Sequence, residues 1–122
     1  MPDCIFCKIA AGEIPCKKAY EDNGVLAFHD INPQAPVHIL VIPKAHINGA
    51  AAFDQGNCAI AGQCVAAASQ IAKTLDIKDF RIVTNNGVTA GQTVAHLHFH
   101  LLAGRELGDM LTPDSFPLTP AS

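Results

Sequence analysis

Three imidazoles recur at alternate positions in His96-Leu97-His98-Phe99-His100, and three more histidines, His29, His38 and His46, lie upstream. Histidine titrates near neutrality, so within such a cluster one imidazole can attack an electrophile while its neighbour carries a proton. A phosphate ester or amide suits that pairing. Imidazolium groups and main-chain N–H donors stabilise its oxygens as charge shifts in the transition state. The same residue types serve a second chemistry, because histidines two apart on a strand can share a zinc with a third ligand from elsewhere. Spacing alone leaves both readings open. No pair of carboxylates is placed for glycoside hydrolysis.

The alternation of histidine with large apolar residues from His96 to Leu102 predicts a strand, with His96, His98 and His100 on one face and Leu97, Phe99 and Leu101 on the other. At the usual rise per residue the outer imidazoles of such a strand stand about 13 Å apart, which makes His98 the central candidate. The plain alternative is a half-exposed strand with its histidines facing water. A second set of reactive side chains opens the chain. Cys4-Ile5-Phe6-Cys7 begins a short helical turn that ends near Gly12 and sets both sulfurs on one side. Two thiolates are half of what a structural zinc takes, and two small buried thiols are the other reading.

The rest of the chain must position these groups. Lys18 to Glu21 and Val25 to His29 read as a hairpin about Asp22-Asn23-Gly24, where Asn and Gly tolerate positive φ. Asp30 stands where the second strand stops; its carboxylate either accepts local N–H bonds or takes a ligand's hydroxyl pair, such as a ribose. Asn32-Pro33-Gln34-Ala35-Pro36 is a stiff loop. Val37 to Ile42 is apolar apart from His38, which predicts a central strand and a histidine in need of a polar partner. Pro43 ends that strand, and Lys44-Ala45-His46 leads onward. Ile60, Cys64, Ala67, Ile71 and Leu75 recur at helical spacing and predict one long amphipathic helix over residues 57–76. Phe80 to Thr84 reads as a further strand. The glycine-containing loop from Asn85 to Thr93 then feeds the histidine segment. This order of elements suits an α+β fold, an antiparallel sheet with the long helix packed on one face.

A chain of 122 residues with 49% hydrophobic content supports one domain with one core. A formal charge of −3 and the lack of any Lys/Arg run argue against nucleic acid or a membrane as partner. No basic start precedes an apolar run, and no segment approaches membrane-spanning length, which leads to the expectation of a cytoplasmic protein. The odd count of five cysteines fits a reducing compartment with thiols outside any disulfide framework.

The segment His96-Leu97-His98-Phe99-His100-Leu101-Leu102 resembles the catalytic signature of the histidine triad (HIT) family, in which histidine and a hydrophobic residue alternate three times before a closing hydrophobic residue. Ala27-Phe28-His29-Asp30-Ile31, Pro36-Val37-His38-Ile39-Leu40-Val41-Ile42-Pro43-Lys44 and Gly91-Gln92-Thr93 extend the resemblance, most closely to the Hint branch of nucleotide phosphoramidases. The resemblance implies a HIT domain over residues 1–105, a tail over 106–122, and a homodimer whose sheets join. It implies a purine nucleoside 5′-phosphoramidate as substrate, with His98 as nucleophile on the α-phosphorus, His100 on a phosphate oxygen and His38 completing the cluster. Thr93, where the family commonly has serine, would assist the leaving amine. Asp30 would take the ribose hydroxyls and Ile31 border the base, with Asn85, Gly91 and Gln92 along the phosphate path. Relatives with a Cys-x-x-Cys start hold a structural zinc, which here would fall to Cys4, Cys7, His46 and His96, with no cofactor needed for catalysis.

Two departures from the branch stand out: the chain has no tryptophan and runs on to Ser122, in a tail containing Pro113, Pro117 and Pro120. Ala103-Gly104 follows the triad instead of the Pro-Arg expected of dinucleoside polyphosphate hydrolases, which disfavours that alternative. A nucleotide-binding regulatory protein with incidental hydrolysis remains the other reading.

Overall fold

Five antiparallel strands form one sheet in the order β1-β2-β3-β5-β4. They are β1 (Lys18–Glu21), β2 (Val25–His29), β3 (Val37–Pro43), β4 (Arg81–Val83) and β5 (Phe99–Ala103). Among the described residues two α-helices accompany them, α1 (Ile5–Ala10) and α2 (Ala59–Thr74). The structure is a computed structural model and describes residues 4–109, so most of the expected 106–122 tail lies outside the described residues. This is the α+β arrangement read from the sequence, with α2 as its main helix. Among the described residues no helix is long and apolar enough to cross a membrane.

The period of two along each strand sorts the side chains into two cores. Val25, Ala27, Ile39, Val41, Leu97, Phe99 and Leu101 face α2, meeting its buried Cys64, Ala67, Ala68 and Ile71. Small residues on that helix let it approach the sheet closely. Leu75, expected on the buried stripe, follows the end of α2 and is exposed. The opposite face carries Leu26, Phe28, Leu40 and Ile42, and α1 closes over it with Phe6 and Ile9. His38 and His100 lie on this second face.

Two local expectations are corrected. The β1–β2 turn uses no positive φ at Asn23 or Gly24. Instead the Asp22 carboxylate accepts from the N–H groups of Gly24 and Val25, at 2.8 and 2.9 Å, which stabilises the turn in ordinary backbone geometry. The predicted histidine strand is also shorter at its start. Pairing with β3 runs from Val37↔Ala103 to Val41↔Phe99, and continuing that register would set Leu97 against Pro43. Proline has no N–H to give, so the ladder stops there. Leu97 N–H bonds the Ile47 carbonyl at 2.6 Å, and His96 N–H bonds Val94 at 2.8 Å, turning residues 94–96 into a bend. Leu97 still enters the α2 core, so the two-faced alternation survives the loss of regular pairing.

Candidate active site and metal centre

Register on adjacent strands brings His38 and His100 together. β3 and β5 pair Leu40 with His100 and His38 with Leu102, so the two imidazoles are diagonal neighbours on one face. Their rings meet with His38 Nε2 2.8 Å from His100 Nδ1. The stiff loop before β3 decides who donates: the Gln34 N–H gives its hydrogen to His38 Nδ1 at 2.9 Å. His38 therefore keeps its own proton on Nε2 and donates it to His100 Nδ1, which leaves His100 with an N–H at Nε2. His98 is set the other way. Its Nδ1 lies 2.7 Å from the His96 carbonyl, an acceptor only, so Nδ1 carries the proton and Nε2 the free lone pair. The His98 and His100 rings stand 5.1 Å apart between centroids. A ring with a lone pair at Nε2 and a ring with an N–H at Nε2 are thus neighbours.

Burial disfavours the charged forms of His38 and His100. It depresses the His38 pKa, against the opposing pull of Asp30, whose carboxylate is 3.5 Å from Nε2. His100 is pushed down to about 4, first by burial and then by His98 and His38. Thr84 donates from Oγ1 to the His98 carbonyl at 2.7 Å, fixing the main chain at His98.

The first histidine of the segment goes elsewhere. His96 is fully buried and gives its Nε2 hydrogen to the Pro43 carbonyl at 2.8 Å, which turns the lone pair of Nδ1 towards Cys4 Sγ at 3.3 Å and Cys7 Sγ at 3.5 Å. His46 does the same: Nε2 donates to Asn48 Oδ1 at 2.8 Å, and Nδ1 faces Cys7 Sγ at 3.2 Å. Sulfur and nitrogen on one tetrahedral zinc stand about 3.5 Å apart. Cys4, Cys7, His46 and His96 place all four donor atoms within 4.8 Å of one another. Each imidazole is oriented by an outer hydrogen bond, as metal-ligating histidines are. Burial and the Cys4 thiol raise the Cys7 pKa, a cost that a cation between the sulfurs would reverse. The residues fit a closed structural zinc.

Asp30, His38 and His100 also gather donor atoms within 4.8 Å. They do not fit a metal as well. Two nitrogens on one zinc would lie about 3.3 Å apart, whereas 2.8 Å between His38 and His100 is a hydrogen bond, and the proton in it occupies the lone pair a metal would need.

An apolar cleft of about 670 Å³ opens beside α1; His38, His98 and His100 do not line it, and Phe6 in its wall meets the His98 ring at 5.2 Å. Its walls include Phe6, Phe28 and Leu40, together with Asp30, Ile31 and Thr93. Ile31, which lines the cleft, is 92% exposed. Asp30 accepts from the Asn32 N–H at 2.7 Å through Oδ1, which is the local reading of this carboxylate, and its Oδ2 faces His38. Asn85, Gly91 and Gln92 do not line this cleft. Gly91 adopts φ 101° as the left-handed end of a short 3₁₀ turn, beside the Asn85 amide. The Gln92 side chain is committed to the loop: it accepts from Gly87 N–H and donates to the carbonyls of Asn48 and Val94. Sequence reasoning missed Phe6, Gln34 and Thr84. The clue for Phe6 was its place between the cysteines; the other two act through main-chain contacts that only the fold creates.

The HIT domain family model matches residues 11–107. A HIT family hydrolase from Clostridium thermocellum superposes with a TM-score of 0.87 at 47% identity, covering 89% of this chain and 96% of that one. A 14 kDa zinc-binding protein from Zea mays is 45% identical over 84% of this chain and 83% of its own length. A histidine triad nucleotide-binding protein from Candida albicans superposes with a TM-score of 0.72 at 29% identity, over 92% of this chain and 88% of that one. With the family model spanning most of the sequence and the triad's alternation preserved in the fold, the chain belongs to the HIT domain family.

Proposed function

We propose that the protein is a nucleotide-binding hydrolase that cleaves purine nucleoside 5′-phosphoramidates through a nucleotidyl-histidine intermediate. The observation that carries this reading is the opposed setting of two neighbouring histidines: His98 offers the lone pair of Nε2, and His100 offers an N–H from Nε2. The base fits the apolar cleft between Phe28, Leu40 and Ile31, and Asp30 stands within it to accept from the ribose hydroxyls. His98 Nε2 forms a bond to the α-phosphorus as the bond from phosphorus to the leaving nitrogen breaks. The exposed Thr93 hydroxyl passes a proton to that nitrogen and is replenished from solvent. His100 donates to a phosphoryl oxygen, where the charge grows. Water then adds to phosphorus, the bond to His98 breaks with its electron pair returning to Nε2, and the nucleoside monophosphate leaves.

Cys4, Cys7, His46 and His96 would hold a zinc that would supply structure and no bond-making chemistry. Gln92 supports the phosphate path from outside, as the clip of its loop, with Asn85 and Gly91 forming the adjoining turn. The domain is taken as residues 1–105, and a homodimer joined through a sheet edge in the cytoplasm completes the reading. The deciding experiment compares hydrolysis of an adenosine phosphoramidate with binding of AMP. Turnover that disappears in His98→Asn while AMP still binds supports the assignment. AMP binding with no turnover by the parent protein favours the regulatory alternative.

A further inference from the structure

We propose that the metal centre and the nucleotide cleft are coupled through α1, so that metal binding strengthens nucleotide binding and nucleotide strengthens metal retention, with Phe6 as the positioning residue between them. The inference rests on the cleft being the nucleotide site. α1 has six residues, far fewer than the roughly 12–15 that a helix needs to persist alone. Its position must come from what it touches. Cys4 caps it, accepting from the Cys7 N–H through Sγ at 3.4 Å, and both sulfurs face His46 and His96. Those histidines come from the connection after β3 and the bend before β5, so a metal in this corner pins α1 to the sheet at two separate segments.

The same turn of helix builds the cleft. Ile5, Phe6 and Ile9 line it, and Phe6 sits between the two thiolate positions. The Phe6 ring meets three others edge to face: Phe28 in the cleft wall at 5.6 Å, the ligand His96 at 5.9 Å and the nucleophile His98 at 5.2 Å. A base entering the cleft packs on a wall whose placement the metal has already fixed. Without the metal, part of the binding energy goes into ordering α1. The nucleophile has a support outside the metal corner in Thr84, whose hydroxyl holds the His98 carbonyl, so the effect falls on affinity and KM more than on kcat.

Linkage requires the coupling to be equal in both directions. We expect AMP to bind about tenfold more weakly to the zinc-free protein than to the zinc-loaded one, and zinc affinity, read by competition with a chromogenic chelator, to rise about tenfold with saturating AMP. A protein-free blank corrects for zinc held by AMP itself. Zinc-loaded Phe6→Leu should keep its metal, bind AMP more weakly, and lose most of the coupling. If AMP binds both forms within twofold, the coupling is overturned while the nucleotide reading stands. No binding of AMP to the loaded protein overturns the nucleotide reading and the coupling together. Should the zinc-free protein lose its circular dichroism spectrum, the competition on loaded protein decides, and AMP that leaves zinc affinity unchanged overturns the proposal.

Discussion

His96 and His98 are two residues apart, both buried, both touched edge-on by Phe6, and yet they face different chemistry. The difference lies in which nitrogen carries the outer hydrogen bond. His96 gives its Nε2 hydrogen to Pro43 and so offers Nδ1 to the two sulfurs; His98 gives its Nδ1 hydrogen to the His96 carbonyl and so offers Nε2. In both corners the acceptor is a main-chain carbonyl that burial has stripped of water. Among the described residues no buried side-chain nitrogen or oxygen lacks a partner, so burial of these imidazoles is offset by hydrogen bonds. The lesson is that residue type sets what a histidine can do, while the carbonyl behind it sets what it does.

The largest effect should come from His98→Asn. It removes the nucleophile and keeps the apolar strand face, so hydrolysis should fall at least about a thousandfold with AMP binding and thermal midpoint little changed. Single-turnover kinetics with an adenosine phosphoramidate would check it, and activity within tenfold of the parent would sink the assignment. Cys7→Ser breaks the other corner. Zinc content should drop and the midpoint should fall by on the order of 10 °C, since a metal at these four residues would tie α1 to two distant segments. A silent Cys7→Ser, in a protein that takes up no zinc on titration, would make these thiols packing residues.

Acid distinguishes the corners by sign and range. His100 has a folded pKa of about 4, below the ordinary histidine value, so the unfolded chain binds its proton first. Its neutral burial favours the folded state fully above the unfolded pKa and loses that contribution as pH falls through the folded one; His38 shifts in the same direction. In protein already stripped of zinc, the midpoint should hold above about pH 6.5 and decline by on the order of 5 °C towards pH 4, and His100→Asn should flatten that slope. An equal slope in the variant would remove His100 as its source. Zinc release, followed with a metal indicator, should add a separate acid-dependent loss in loaded protein, because the thiols must be deprotonated to bind.

How far the sequence carried these conclusions depends on whether the signal was local. The hairpin strands were legible to the residue because their turn and their apolar runs are contiguous, and the two faces of the histidine segment followed from alternation alone. The early end of its pairing was not legible, since it comes from Pro43 on a neighbouring strand in a register that only the sheet defines. The same holds within the site. Grouping Cys4 with His96, 92 positions away, came from resemblance and not from spacing. The tautomers of His38 and His98 rest on the Gln34 N–H and the His96 carbonyl, groups that every residue carries and no sequence pattern marks.

The smallest effect sharpens the comparison at an outer hydrogen bond of the metal corner that a substitution can reach. His96 and His98 are both oriented by main-chain carbonyls, but His46 is oriented by a side chain, Asn48 Oδ1 at 2.8 Å. Asn48→Ala keeps the main-chain carbonyl that Gln92 uses, so the loop clip is preserved and only the orientation of His46 is released. Losing such an outer partner costs about tenfold or more in metal affinity, and the exposure of Asn48 places this case at the low end because water can replace the amide. Zinc competition should therefore show about a tenfold weaker site, with the thermal midpoint of zinc-saturated protein shifted by no more than about 2 °C. A glutamine at this position keeps an amide acceptor at longer reach, so Asn48→Gln should recover part of the affinity that the alanine variant loses. An Asn48→Ala protein that binds zinc as tightly as its parent would show that Nδ1 of His46 is set by the packing of its ring against His96, at 4.9 Å, and not by the bond behind it.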